Sequence, residues 1–246
     1  MNILLLLSKL KRSPKMAGIR KYTNLLYYDP NFVNIVVKNF DVIEADGCKF
    51  RVTDQITSII QRVKGNPWFE GVRDTDTVVD IGANIGAITI PLAKVAKKVY
   101  AVEPLFYKEL EDNISLNGLD NVEVIPFGIG KECSKVIKFS SKCAESPIIT
   151  FDALKRQVGE QIDFLKMDGE GCEWEMEPYE LKGIRELRLE FHIHRGRVSE
   201  CRRKYEEYLN WMKVEGYESH TICIDGGLNP SYKCYKGAPG INASLK

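Results

Sequence analysis

The chain has 246 residues, 44% hydrophobic and 28% charged, with a formal net charge of +1, enough for one sizeable core or a core plus an N-terminal addition. Seven cysteines at 48, 133, 143, 172, 201, 223 and 234, with no Cys-x-x-Cys pair, exclude a disulfide framework and a zinc site, and thiols of this kind point to a reducing, cytoplasmic setting. The opening "MNILLLLSKLKR" has too short an apolar run for a signal core and carries its charges on the wrong side of it, and no other segment is expected to span a bilayer.

In chain order, "VIEADGCKFRV" predicts a hairpin around Asp46-Gly47, a pair that tolerates the positive φ of a tight turn. In "TDQITSIIQRVKGNP", Ile56, Ile59, Ile60 and Val63 recur at helical spacing behind Thr53 or Asp54 as the cap, and Gly65 with Pro67 ends the run. Residues 1–66 are thus expected to form a small helix and hairpin appendage. From residue 76 strand and helix alternate: "TVVDIG", a helix from about Ile85 to Ala96, "KVYAVE", a helix over "YKELEDNISLNG", and "NVEVIPFG". The alternation continues through helix "FDALKRQVG", strand "IDFLKMD", a turn, strand "IRELRLEFHI" and a long helix over "VSECRRKYEEYLNWMKVEG". "YESHTICID" and "SYKCYKG" lack an intervening helix and predict an antiparallel hairpin that closes the sheet. Such alternation gives a mostly parallel sheet with helices on both faces. Two details carry their own expectations: Asn117-Gly118 reads as a helix C-cap, and Pro91 should bend the first helix.

In such sheets ligands sit beyond the carboxyl ends of the strands, beside the first strand. There the spacing is Asp80-x-Gly82-x-Asn84-x-Gly86, and not the Gly-x-Gly-x-x-Gly that feeds a pyrophosphate to a helix. An acid in that place repels pyrophosphate and suits a cationic ligand of amino-acid character, such as S-adenosylmethionine. About twenty residues on, Glu103 ends the second strand, where an acid accepts hydrogen bonds from a ribose diol. The competing structural account makes Gly82 and Gly86 packing glycines and Glu103 a helix N-terminal acid.

The stretches "VVDIGANIGAITI", "VYAVEP", "ITFDAL", "IDFLKMDGEGCEWE" and "LEFH" resemble, in that order, the FkbM family of S-adenosylmethionine-dependent methyltransferases over roughly residues 53–220. The resemblance implies a Rossmann-like class I methyltransferase domain over residues 67–246, with a seven-stranded, mostly parallel sheet. It implies methyl transfer to a hydroxyl of a small molecule, sugar or lipid. It assigns Asp80, Gly82, Ala83, Asn84 and Gly86 to the methionine side of the cofactor and Glu103 to the ribose. The third strand ends in "IPFGIG" without the acid that often meets the adenine amino group, which leaves adenine to Pro104, Phe127 and Gly128.

Methyl transfer is an in-line displacement, and a hydroxyl acceptor must lose its proton as the bond forms. Asp168, Glu170 and His192, at the ends of the fourth and fifth strands, are the candidate catalytic residues, with His192 as base and Asp168 as its orienting partner. Asp168 is also a candidate cofactor ligand, and Glu173 and Glu175 are read as solvent-facing in the bland alternative. Asp168, Glu170, Glu190 and His192 also contain donor types that suit magnesium or manganese, but the spacing specifies no ion and no metal is assigned. Two rival functions stand beside this one. "HIHRGRVSECRRK" gathers His192, His194, Arg195, Arg197, Arg202, Arg203 and Lys204, and the glycine loop also resembles tRNA guanine methyltransferases, which makes RNA methylation the alternative. Against it, Asp168-Gly169-Glu170 stands where those enzymes carry an Asn-Pro-Pro motif. The other rival is a cofactor-binding protein without catalysis.

Overall fold

A computed structural model describes residues 35–39, 42–45, 47–51, 67–139, 142–192, 197–223 and 239–245. The chain divides into two compact units, Met1–Gly65 and Asn66–Lys246. In the first, strands β1 (Ile35–Asn39), β2 (Val42–Ala45) and β3 (Cys48–Arg51) form an antiparallel sheet in that order. Ala45 pairs with Cys48, so β2 and β3 form the expected hairpin, and Gly47 takes the left-handed φ of 75° that a two-residue loop requires. Cys48 and Phe50 turn inward and Lys49 and Arg51 outward, the alternation of a half-buried strand. The helix predicted from Ile56 to Val63 lies outside the described residues.

The second unit is a Rossmann-like α/β assembly. Its elements in chain order are β4 (Thr77–Ile81), α1 (Thr89–Ala93), β5 (Lys98–Val102), α2 (Tyr107–Leu116), β6 (Val122–Ile125), β7 (Gly128–Ile129), β8 (Ser134–Phe139), β9 (Lys142–Ile149) and α3 (Phe151–Val158). There follow β10 (Phe164–Met167), two short 3₁₀ turns (Cys172–Trp174 and Pro178–Leu181), β11 (Glu186–Glu190), α4 (Val198–Val214), β12 (Tyr217–Cys223) and β13 (Pro239–Leu245). The main sheet runs β12-β13-β11-β10-β4-β5-β6. Five strands, β11, β10, β4, β5 and β6, are parallel, and seven is reached only by adding β12 and β13, with β13 antiparallel to both its neighbours.

Every residue of β4, β10 and β11 is buried, including the charged Asp80, Lys166, Glu186, Arg188 and Glu190. Val79, Ile81, Leu165 and Leu187 join one core, with Tyr100, Phe151, Phe191 and Tyr208. Val78, Val99 and Phe164 face another, built with Trp68, Ile88 and Leu92. The chain moves outward from β4 through β5 and β6, then returns to place β10 on the other side of β4. This reversal opens a crevice at the carboxyl ends of β4, β5, β10 and β11.

Four local expectations change. The first helix spans Thr89–Ala93 only, not Ile85 to Ala96. Its Pro91 has no N–H to donate, and residues 82–88 form a turn instead. The segment between β6 and α3 contains a small sheet of β7, β9 and β8, which was not foreseen because β8 and much of β9 are exposed and lack an apolar alternation. At the other end the partner of β12 is Pro239–Leu245, whereas "SYKCYKG" lies outside the described residues. Lastly, β1 was not predicted at all. Asn117 and Gly118 do end α2, with Gly118 at φ 64°.

Candidate active site

After β4 the chain turns under the end of β5. The N–H groups of Gly82 and Ala83 both donate to the Val102 carbonyl, at 2.9 and 3.2 Å. Asn84 is left-handed, φ 50°, and its Oδ1 accepts the Ile85 N–H at 2.7 Å, the local hydrogen bond that lets asparagine hold this conformation. The Asn84 N–H donates to Glu103 Oε2 at 2.7 Å, while Glu103 Oε1 accepts the N–H groups of Leu105 (2.8 Å) and Phe106 (3.0 Å). Loop and acid are therefore one hydrogen-bonded unit. Burial raises the Glu103 carboxyl above its ordinary range, against the three N–H donors and Lys166, which favour the charged form.

The glycines of this loop also answer to packing within the protein. A Cβ on Gly82 would lie 1.9 Å from the Asp168 carbonyl oxygen, and the residue has φ 75°. Gly82 is thus fixed by the close approach of β10's exit, irrespective of any ligand. Gly86 is held chiefly by its φ of 93°, its Cβ position facing only the side-chain ends of Leu110 and Ile90, and Ala83 is buried against Ala101 and Leu110. Among the loop positions assigned to the cofactor, Gly82 and Asn84 are the two that are only partly buried.

Asp80 also departs from its assignment. Its carboxylate is fully buried, accepts the Thr89 hydroxyl at 2.6 Å and lies 3.0 Å from the Lys166 ammonium. Lys166 donates in addition to the carbonyls of Ile81 and Gly82. The charge of Asp80 is spent on a buried lysine that the sequence reading had not singled out, and Asp80 supports the loop from beneath.

At the ends of β10 and β11 the candidate catalytic residues do meet. His192 Nε2 lies 3.6 Å from Asp168 Oδ1, 3.5 Å from Glu170 Oε2 and 3.9 Å from Glu190 Oε1. Its orienting partner, however, is Glu173. Glu173 Oε1 accepts the His192 N–H at 2.5 Å and sits 3.1 Å from Nδ1, and Glu173 Oε2 accepts the Gly171 N–H at 2.9 Å. Glu173 is wholly buried, not solvent-facing. The signal for it was Trp174 beside it: the indole donates to the His192 carbonyl and packs on Phe191, which fastens the 3₁₀ turn to β11. Burial works against a charged imidazole here, but the hydrogen bond to Glu173 and the charges of Glu173, Glu170 and Asp168 outweigh it and raise His192 to about 9. At neutral pH His192 is then a cation and a poor proton acceptor, which leaves Asp168 and Glu170 as the bases of the site. Glu170 reaches it from a left-handed backbone, φ 53°, with its side chain about half exposed.

The adenine candidates are less united. Pro104 and Phe127 follow the ends of adjacent strands β5 and β6 and are partly exposed. Gly128 is buried in β7, where a Cβ would meet the tip of the Ile148 side chain at 2.5 Å. In the basic run, Arg197 is bonded to Glu200, Arg203 to Glu207, and Lys204 to the Trp174 carbonyl and Glu177, while His194 and Arg195 lie outside the described residues.

Comparison with known proteins corrects the family. Residues 42–144 match the model of the TRM5/TYW2 methyltransferase domain, and no match to the FkbM family is found. The chain is 43% identical over 56 residues to a probable ribosomal RNA small subunit methyltransferase A of Methanosphaera stadtmanae, covering 22% of this chain and 21% of that protein. It is 51% identical over 53 residues to the tRNA(Phe) (4-demethylwyosine(37)-C(7)) aminocarboxypropyltransferase of Methanocaldococcus jannaschii, covering 20% and 21%. These alignments span about a fifth of each curated relative. Among solved structures, M. jannaschii TYW2 in complex with AdoMet aligns at a TM-score of 0.47 and 18% identity, over 85% of this chain and 87% of that one. The motif that carried the FkbM resemblance, "KMDGEGCE", lies beyond the matched stretch, and packing demands explain much of it: Lys166 neutralises Asp80, a Cβ on Gly169 would strike Cys172 Sγ, and Glu173 fixes His192. The expectation of a small-molecule, sugar or lipid hydroxyl as acceptor falls with that family, because the matches are to proteins that modify RNA. Among the described residues no helix is long and apolar enough to cross a membrane. Over residues 42–144 the chain carries the sequence of an S-adenosylmethionine-dependent methyltransferase domain.

Proposed function

We propose that the protein transfers the methyl group of S-adenosylmethionine to a nucleoside of tRNA. The observation that carries this reading is the match of residues 42–144 to the TRM5/TYW2 methyltransferase domain. The geometry supports it through the unit of Asn84 and Glu103 at the end of β5 and the carboxylates of Asp168 and Glu170 across the crevice at the end of β10. In this reading the remaining lone pairs of Glu103 receive the ribose hydroxyls, and the partly exposed Gly82 and Asn84 border the methionine moiety. The acceptor nitrogen or oxygen attacks the methyl carbon in line with the departing sulfur, the carbon–sulfur bond breaks with its electron pair on sulfur, and the acceptor's proton passes to Asp168 or Glu170. Before transfer the negative carboxylates favour the cationic sulfonium, and the one that takes the acceptor's proton becomes neutral as the sulfonium charge is itself discharged.

Incubation of the purified chain with unmodified tRNA transcripts and methyl-tritiated S-adenosylmethionine tests it. Label that precipitates with RNA and is released by ribonuclease is the expected result. Binding of S-adenosylhomocysteine with no label in RNA overturns it. The similarity to an aminocarboxypropyltransferase favours one second reading, since another carbon of the same sulfonium is then attacked. Cofactor labelled in the carboxyl carbon separates the two, because only aminocarboxypropyl transfer carries that label into RNA.

A further inference from the structure

At the ends of β10 and β11 three carboxylates surround one imidazole nitrogen, none of their oxygens closer to it than 3.5 Å. His192 Nε2 stands 3.5 Å from Glu170 Oε2, 3.6 Å from Asp168 Oδ1 and 3.9 Å from Glu190 Oε1. Charge-assisted hydrogen bonds between such groups run at about 2.7–2.9 Å. Neighbouring ligand atoms around one cation, each about 2.1 Å from it and about 90–109° apart, are separated by about 3.0–3.4 Å. The three distances from Nε2 are long for charge-assisted hydrogen bonds and a little wider than the edges of a coordination polyhedron. Asp168, Glu170 and His192 each contribute one atom to a group lying within 4.8 Å of one another.

A second feature, outside the donor set, points the same way. Glu173, buried by the 3₁₀ turn, accepts the His192 backbone N–H and lies 3.1 Å from Nδ1. With Nδ1 held there, Nε2 is aimed at Asp168 and Glu170, and a metal ion entering among them displaces the proton that Nε2 otherwise carries, the carboxylate–histidine arrangement that orients a ring toward a metal. The donors differ in freedom as well. Asp168 and Glu190 are buried at strand ends, whereas the Glu170 side chain is 52% exposed, so one flank of the group opens to solvent and to a ligand.

We infer that Asp168, Glu170 and His192, with Glu190 behind them, form a binding site for one divalent cation of the manganese class. The mixture of imidazole and carboxylate favours manganese over magnesium, which prefers oxygen alone and sheds its water reluctantly. The inference stands on the donor geometry and is independent of whether the acceptor is tRNA.

The full chain, stripped with a chelator and dialysed, is titrated with manganese chloride alone and followed by the loss of the free-ion paramagnetic resonance signal. One site per chain is expected, with imidazole nitrogen coupling in the pulsed spectrum. Glu170→Gln, at a half-exposed position that does not threaten folding, should weaken binding at least about tenfold, and His192→Gln should abolish the nitrogen coupling. No stoichiometric binding at millimolar manganese, unchanged affinity in Glu170→Gln, or bound manganese without nitrogen coupling overturns the inference. None of these readouts requires RNA or methyl transfer, so a failure of the functional proposal leaves the result interpretable.

Discussion

The Lys166 ammonium lies 3.0 Å from the Asp80 carboxylate across the paired positions of β10 and β4, with 1% and 0% of the two side chains exposed. Removing one member leaves the other charged and buried, whereas removing both does not. Lys166→Met should lower the free energy of unfolding by about 3–5 kcal/mol, and the double variant Lys166→Met, Asp80→Asn should lose less than the sum of the two singles. Urea denaturation of the three variants measures this. Strict additivity means that the pair is not coupled.

Two glycines with similar backbones separate conformational strain from collision. Gly118, at φ 64°, has nothing within 4 Å of a Cβ, so Gly118→Ala should cost only the left-handed penalty of about 1–2 kcal/mol. Gly82→Ala adds contact with the Asp168 carbonyl and should shift the melting temperature much further, or prevent accumulation of folded protein. Equal shifts in thermal denaturation would show that the β4 and β10 exits do not press together.

These positions also explain what was legible in the sequence. Strands β4, β5 and β10 were, because burial writes mainly apolar runs there, and β11 was by the alternation of Leu187 and Leu189 with charged residues. The reason for Gly82 was not, since its constraint comes from a backbone oxygen 86 positions away, which no local pattern encodes. Asp168, Glu170 and His192 were gathered correctly by strand order alone, yet their real organiser, Glu173, sits on a 3₁₀ turn whose few residues display no period. The burial of Asp80 beside Lys166 was not legible, because Lys166 looks, in a strand, like one more surface cation.

Glu103 satisfies three backbone N–H groups, and their loss should be felt before any cofactor is added. Glu103→Ala should destabilise the protein by about 2–4 kcal/mol and weaken S-adenosylhomocysteine binding along with it. Chemical denaturation with and without S-adenosylhomocysteine checks both. Unchanged stability in the variant would mean that solvent replaces the carboxylate at all three amides.

The Tyr217 hydroxyl donates to the carbonyls of Ile184 and Leu181, at 2.7 and 3.3 Å, and burial, with Glu215 nearby, pushes it from 10.0 to about 12. The group stays protonated longer in the folded chain than in the unfolded one. Its contribution is therefore fully present below pH 10 and disappears as pH rises through about 12, a loss of about 2–3 kcal/mol over that window. Stability measured across this range should decline less steeply in Tyr217→Phe. Parallel curves for the two proteins would contradict the assignment.

The insertion of β13 between β11 and β12 has a consequence in time. Leu187 pairs with Ala243, and Tyr217 with Leu245, so the strand that joins β12 to the sheet is supplied from the chain's far side of it. During synthesis β4, β5, β6, β10 and β11 emerge and can align while the β11 edge is still unpaired. Neither β11 nor α4, which follows it, can recruit β12 by direct pairing, because its slot is two strands away. The sheet can close only once residues 239–245 are available to pair on both sides, and until then the β11 edge offers an unpaired strand to other copies of the chain.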